Sequence, residues 1–213
     1  TRAVPDESFV KISAGISGDT ETTLGTGYTY YGSDYDWFGF DDGRRDPGPN
    51  LQSFLDSGQS LNDPGVDQQA ILTELGDPNL ILLQSTDELP VNWSGGITAG
   101  TSVDVFSDGR FGVIATASLS NKYRNRFITR QAALNGDLDL DQTGNQFQTD
   151  QRILANAMLG FGLEVGEHRF RLTNLYIRDS LKRASLAQIS DLTDDDDDLF
   201  QNTGWYERQL LDT

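Results

Sequence analysis

The chain has 213 residues and no cysteine, so it can form one or two domains but has no disulfide frame, thiolate metal site or cysteine nucleophile. Its 33 acidic residues against 16 basic ones give a formal net charge of -17, which argues against nucleic acid or an anionic membrane surface as a charge-driven partner. Hydrophobic residues make up 36% and the mean hydropathy is -0.47; no apolar run nears 18 residues, so no transmembrane helix is expected.

The first ordered stretch is Ser8 to Ser17, where Val10, Ile12, Ala14 and Ile16 alternate with Lys11, Ser13 and Gly15. This period of two predicts a strand. Gly18-Asp19-Thr20 should turn it into a second strand, Thr22 to Tyr31, and Gly32-Ser33-Asp34 into a third, Tyr35 to Phe40. The polar stretch Asp41 to Leu89 is too long for a plain connection, and the spacing of Val66, Ile71, Leu72 and Leu75 predicts a short helix within it.

Alternation returns at Val91. Trp93, Ile97, Ala99, Val103 and Val105 share one face; after the turn Ser107-Asp108-Gly109, Phe111, Val113, Ala115, Ala117 and Leu119 do the same, with the strand ending near Arg124. Asn125 to Asp150 is expected as a second polar excursion. The longest alternating run follows: Ile153, Ala155, Ala157, Leu159, Phe161, Leu163 and Val165 occupy every odd position, and Gly166-Glu167-His168 turns into a return strand, Arg169 to Asp179. That run of about thirteen residues exceeds the roughly 9–11 that cross a bilayer when tilted. The return strand breaks phase, with Phe170 and Leu172 on one parity and Leu175 and Ile177 on the other; a bulge near Thr173 or an inward-facing Leu175 would each account for it. Ser180 to Gly204, with the acidic run Asp194 to Asp198, is expected as a third excursion before an eighth strand from Trp205 to Leu211.

The expected turns at Gly32, Ser107 and Gly166 fall on one rim, and the long polar loops after Phe40, Arg124 and Ser180 on the other. Bacterial outer-membrane barrels have that asymmetry, and Tyr and Trp near strand ends would form their aromatic girdles. Two stretches, Tyr30 to Arg44 (YYGSDYDWFGFDDGR) and Gly204 to Gln209 (GWYERQ), resemble segments of the barrels of TonB-dependent outer-membrane receptors of Gram-negative bacteria. Thr1-Arg2 resembles the tail of the segment joining plug to barrel in that family.

The resemblance implies an all-β fold: an antiparallel transmembrane β-barrel of about 22 strands around an N-terminal plug. Residues 1–213 would supply about eight of those strands with long extracellular loops, as part of a longer chain. It further implies an active transporter in the bacterial outer membrane, taking up a scarce nutrient such as a siderophore, vitamin or saccharide with energy from the TonB complex. The plug, TonB acting through it, the nutrient and the lipid bilayer are the implied partners. A passive porin or adhesin barrel and a soluble β-sandwich binding module are the alternatives.

No residue is assigned to catalysis, and neither enzymatic activity nor a cofactor is expected: there is no paired acid and base at credible spacing and no metal-ligand cluster. His168, the only histidine, reads as a solvated turn residue. Asp194 to Asp198 lacks the glycine turn and bidentate Glu of a calcium loop and reads as a solvated acidic segment. Gly25-Thr26-Gly27 and Gly160-Phe161-Gly162 precede no helix and read as small lumen-facing or closely packed strand positions, not phosphate loops. Arg110, Lys122, Arg124 and Arg152 alternate with apolar neighbours and should point inward or lie at a rim, packing against a plug or contacting an anionic substrate.

Overall fold

The computed structural model describes residues 4–133, 136, 140–191 and 199–213. The alternating runs build one six-stranded antiparallel sheet from β1 (Phe9–Ser17), β4 (Asn92–Val105), β5 (Gly109–Ala133), β6 (Leu140–Val165), β7 (His168–Asp191) and β8 (Leu199–Asp212), neighbours in that order. A separate pair, β2 (Gly27–Thr29) with β3 (Gln84–Thr86), lies in the connection between β1 and β4, together with helices α1 (Pro49–Ser57), α2 (Gln68–Leu75) and α3 (Pro78–Ile81). The fold is therefore mostly antiparallel β. The sheet stays open, with β1 and β8 as its edges, and no helix among the described residues is long and apolar enough to cross a membrane.

Residues 22–31 and 35–40 do not join the sheet as the second and third strands. Leu24 takes a left-handed φ of 61°, and the Gly25 N–H bonds to the Thr22 carbonyl, so the chain turns where a strand was expected. Further on, the Ser33 hydroxyl accepts the N–H groups of Tyr35 and Asp42, local side-chain bonding that competes with a ladder; Asp36–Phe38 then winds into a 3-10 turn closed by Gly39 at φ 78°. Gly32 consequently does not lie in a hairpin on the rim of Ser107 and Gly166. The helix expected near Ile71 is α2, started by the Asp67 carboxylate accepting from the Ala70 N–H.

The excursions expected after Arg124 and Ser180 are largely strand. β5 runs on to Ala133, β6 begins at Leu140, β7 continues to Asp191 and β8 begins at Leu199. The Asp194 to Asp198 run and Thr1-Arg2 lie outside the described residues. On the opposite rim the connections are short: Gly166, at φ 56°, supplies the positive φ that a two-residue hairpin loop requires at its first position.

β6 and β7 pair without a register shift from Gln142↔Asp191 to Val165↔His168, so no bulge lies at Thr173. Leu175, paired with Met158, instead faces the other side of the sheet from Phe170 and Leu172.

Pairing sorts the side chains into two faces. One carries Val10, Ile12, Ile16, Ile97, Val103, Phe111, Val113 and Leu119, with the odd residues Ile153–Val165 of β6 and Phe170 and Leu172 of β7. Much of this apolar band is bare, Ile12 being 80% exposed, Ile16 82%, Phe170 65% and Leu172 61%. A sandwich would cover such a face with a second sheet; among the described residues only the β1–β4 connection lies on it, beyond most of the band. The buried apolar side chains Tyr30, Leu89, Ile153 and Ala184 gather where that connection meets the sheet.

The strands are staggered. A pairing row that starts at Ile12 in the middle of β1 passes through Ile97, Ala117, Ala157 and Tyr176 and leaves at Asp212, the last residue of β8.

Candidate functional site: the polar face and its cavity

Opposite the apolar band, every second residue is polar or small. Lys122, Arg124, Arg126 and Arg130 of β5 lie beside Arg152, Asp150, Gln148 and Gly144 of β6, followed by Leu181, Arg183, Ser185 and Ile189 of β7. Arg110, Lys122, Arg124 and Arg152 all fall on this face, as the alternation required. Arg110 donates to the Asp6 carbonyl at 2.6 Å and pairs with the Asp6 carboxylate, so it packs against the N-terminal segment. That segment crosses the face where glycine leaves room: a Cβ on Gly112 would stand 2.7 Å from the Val4 Cα, and the Ser102 hydroxyl donates to the Pro5 carbonyl at 2.7 Å. Arg152 pairs with Asp179. The contacts among the described residues on this side are charge balance and hydrogen bonding.

The buried carboxylate of Asp150 organises the centre. It accepts from Arg126, from the Arg183 Nε at 2.7 Å and from the Gln148 amide at 3.0 Å. Two guanidiniums on one carboxylate leave the cluster slightly cationic in a strongly acidic chain. Beside it opens a cavity of about 390 Å³ floored by the small residues Gly144, Ser185 and Ala187 and flanked by Gln146, Gln201 and Trp205. Its volume lies within the roughly 300–1,000 Å³ of small-molecule sites. The sequence carried a signal for this site: Lys122, Arg124, Arg126 and Arg130 keep to even positions beyond Leu119, interrupted only by Ile128, and Gln146, Gln148, Asp150 and Arg152 mirror them across the hairpin.

On the apolar side, above the band, the β1–β4 connection is locked to the sheet. The Gly39 carbonyl accepts from the Arg178 Nε at 2.6 Å, the Ser180 hydroxyl at 2.7 Å and the Tyr206 hydroxyl at 3.4 Å. Arg45 grips Asp36 with two hydrogen bonds of 2.6 and 2.7 Å, bonds Asp41 and lies 4.0 Å from the centre of the Tyr206 ring. Lys182 reaches Asp36 at 2.8 Å, and the Tyr30 hydroxyl donates to the Trp205 carbonyl at 3.1 Å. Burial raises the Tyr30 phenol above its ordinary value despite the nearby Arg45. Burial opposes the Arg45 charge, but Asp36 outweighs it and holds the guanidinium protonated. The segments Tyr30–Arg44 and Gly204–Gln209, far apart in sequence, thus meet in one contact.

The remaining candidates do not converge. His168 is exposed at the first position of β7, apart from both clusters, as a solvated turn residue should be. Gly27 packs against Leu89, while Gly25 lies in a turn. Among the described residues no three His, Asp or Glu side chains form a group able to hold a metal ion. Comparison with protein-family models, curated proteins and solved structures gives no match.

Proposed function

We propose that this chain forms part of the barrel wall of a TonB-dependent transporter in a bacterial outer membrane, taking up a scarce nutrient. The observation that carries the reading is the two-faced sheet: an apolar band wide enough for a bilayer on one side, a charged and amide-rich surface on the other. In water the bare band would be a large aggregation-prone patch; against lipid it is the face a barrel strand requires. Short turns at one end and the large β1–β4 connection at the other fit the periplasmic and extracellular rims. The polar face would then line the lumen, where the N-terminal segment at Gly112 leads in from the direction of a plug.

Fractionation of the expressing bacterium tests this reading. The protein should sediment with the outer membrane, resist carbonate extraction and require detergent for purification. Recovery as a soluble monomer without detergent would overturn it in favour of a soluble module.

A further inference from the structure

We infer that the cavity over Ser185 and Ala187 is a subsite for a neutral oligosaccharide. The inference rests on the transporter reading and names the class of nutrient. Shape comes first: Gly144, Ser185 and Ala187 are adjacent short side chains on three consecutive pairing rows, so the sheet sinks between the longer side chains of Gln146, Gln201 and Trp205. The depression is thus written into the strand sequences.

The lining then selects the ligand. Gln142, Gln146 and Gln201 offer amides that both donate and accept, and Thr203 and Ser185 add hydroxyls. None of the three amides is engaged in a side-chain hydrogen bond among the described residues, so they are available to a guest. A sugar hydroxyl, itself donor and acceptor, matches such groups one for one. Trp205, 54% exposed at the rim, presents the flat apolar surface on which the C–H face of a pyranose stacks.

Charge separates this class from the alternatives. An anionic metal chelate calls for uncompensated cations, yet Arg183 is already turned onto Asp150, which leaves Arg130 at the outer end as the lining's other cation. Among the described residues no acidic side chain lines the cavity, so none of them offers a counter-charge to a cationic ligand.

The test is calorimetric titration of the purified protein, in a detergent lacking a sugar headgroup, with maltohexaose, laminarihexaose, xylohexaose and N-acetylchitohexaose; a ferric tricatecholate complex and cyanocobalamin serve as comparison ligands. At least one neutral hexaose should bind. Trp205→Ala should weaken it tenfold or more and Gln146→Ala severalfold, with circular dichroism unchanged. Two substitutions on different strands guard against a folding defect in either. Absence of binding by every hexaose at millimolar concentration, binding indifferent to both substitutions, or Trp205-dependent binding of a comparison ligand alone would each overturn the assignment. Fractionation keeps the two readings apart: outer-membrane protein that binds no hexaose sinks the subsite only, whereas soluble protein with Trp205-dependent hexaose binding sinks the transporter reading only.

Discussion

Gly39 shows how much can hang on one backbone carbonyl. Three donors from β7 and β8 converge on it, and the residue presents it at φ 78°, with little room for a side chain: a Cβ would lie 3.1 Å from both Ile153 and Ser180. Gly39→Ala should therefore cost about 1–2 kcal/mol from the left-handed backbone alone. The loss should appear as reduced amide-exchange protection across Tyr35 to Asp42, with the β5–β6 ladder unaffected. Glu74 plays a comparable part outside the sheet, since its carboxylate accepts the Leu51 N–H at 2.7 Å and the Asn50 N–H at 3.1 Å at the start of α1. The Leu51 N–H foremost holds that carboxyl below its ordinary value of 4.5. A depressed value means the contribution is complete above pH 4.5 and lost as the pH falls through the folded-state value. Exchange protection of α1, corrected for intrinsic rates, should accordingly drop on acidification in the wild type and stay low and flat in Glu74→Ala.

At the level of strands, the apolar half was legible and the polar half was not. Ile153 to Val165 announces itself because one face must avoid water, which leaves an unbroken period of two. Above Gln151 the side chains of β6 on the band's face are Thr149, Phe147 and Asn145, those on the other face Gln148 and Gln146, and Phe147 alone is too little hydrophobic contrast to mark a strand. Those residues are held extended by their ladders, which bond whatever the side chains are. The opposite error arose at Tyr35 to Phe40, where aromatic residues imitate a strand while Ser33, Asp36 and Gly39 dictate a tight turn. The contact between Tyr30 and Trp205 could not be read at all, since only tertiary structure joins stretches so far apart. Face assignment is testable with neighbouring residues of β6. In the transporter reading, Leu159→Lys, in the middle of the band, should destabilise the inserted protein by roughly 2–4 kcal/mol, whereas Met158→Lys, on the polar face, should cost far less. Guanidinium unfolding from lipid vesicles compares them, and equal losses would mean that the two faces do not differ in surroundings.

Across the whole chain, charge is distributed as unevenly as hydrophobicity. Residues 18–91 hold fourteen of the acids against Arg44 and Arg45, so most of the negative excess sits on the connection above the band. In the transporter reading that connection and the far ends of β5 to β8 face the medium, and the turns at Asp108 and Gly166 face the periplasm. Single cysteines at Asp108, Gly166, Asn62 and Gln142 check this orientation. An impermeant maleimide applied to intact cells should label the last two and spare the first two until the outer membrane is opened.

The stagger that carries Ile12 to the row of Asp212 gives the wall an uneven skyline. Barrel strands lean by roughly 35–45°, and displacement along the ladder is the geometric partner of that lean. With the apolar band level in a bilayer, β1 lies almost wholly at band height, while β8 touches the band only near Leu210 and spends the rest of its length beyond it. The β5–β8 side therefore rises as a parapet above a low sill at β1. In the transporter reading, a solute arriving from the medium would meet Gln201, Trp205 and Gln146 on the parapet well before the mouth at the level of the sill, so capture would be separated in height from passage.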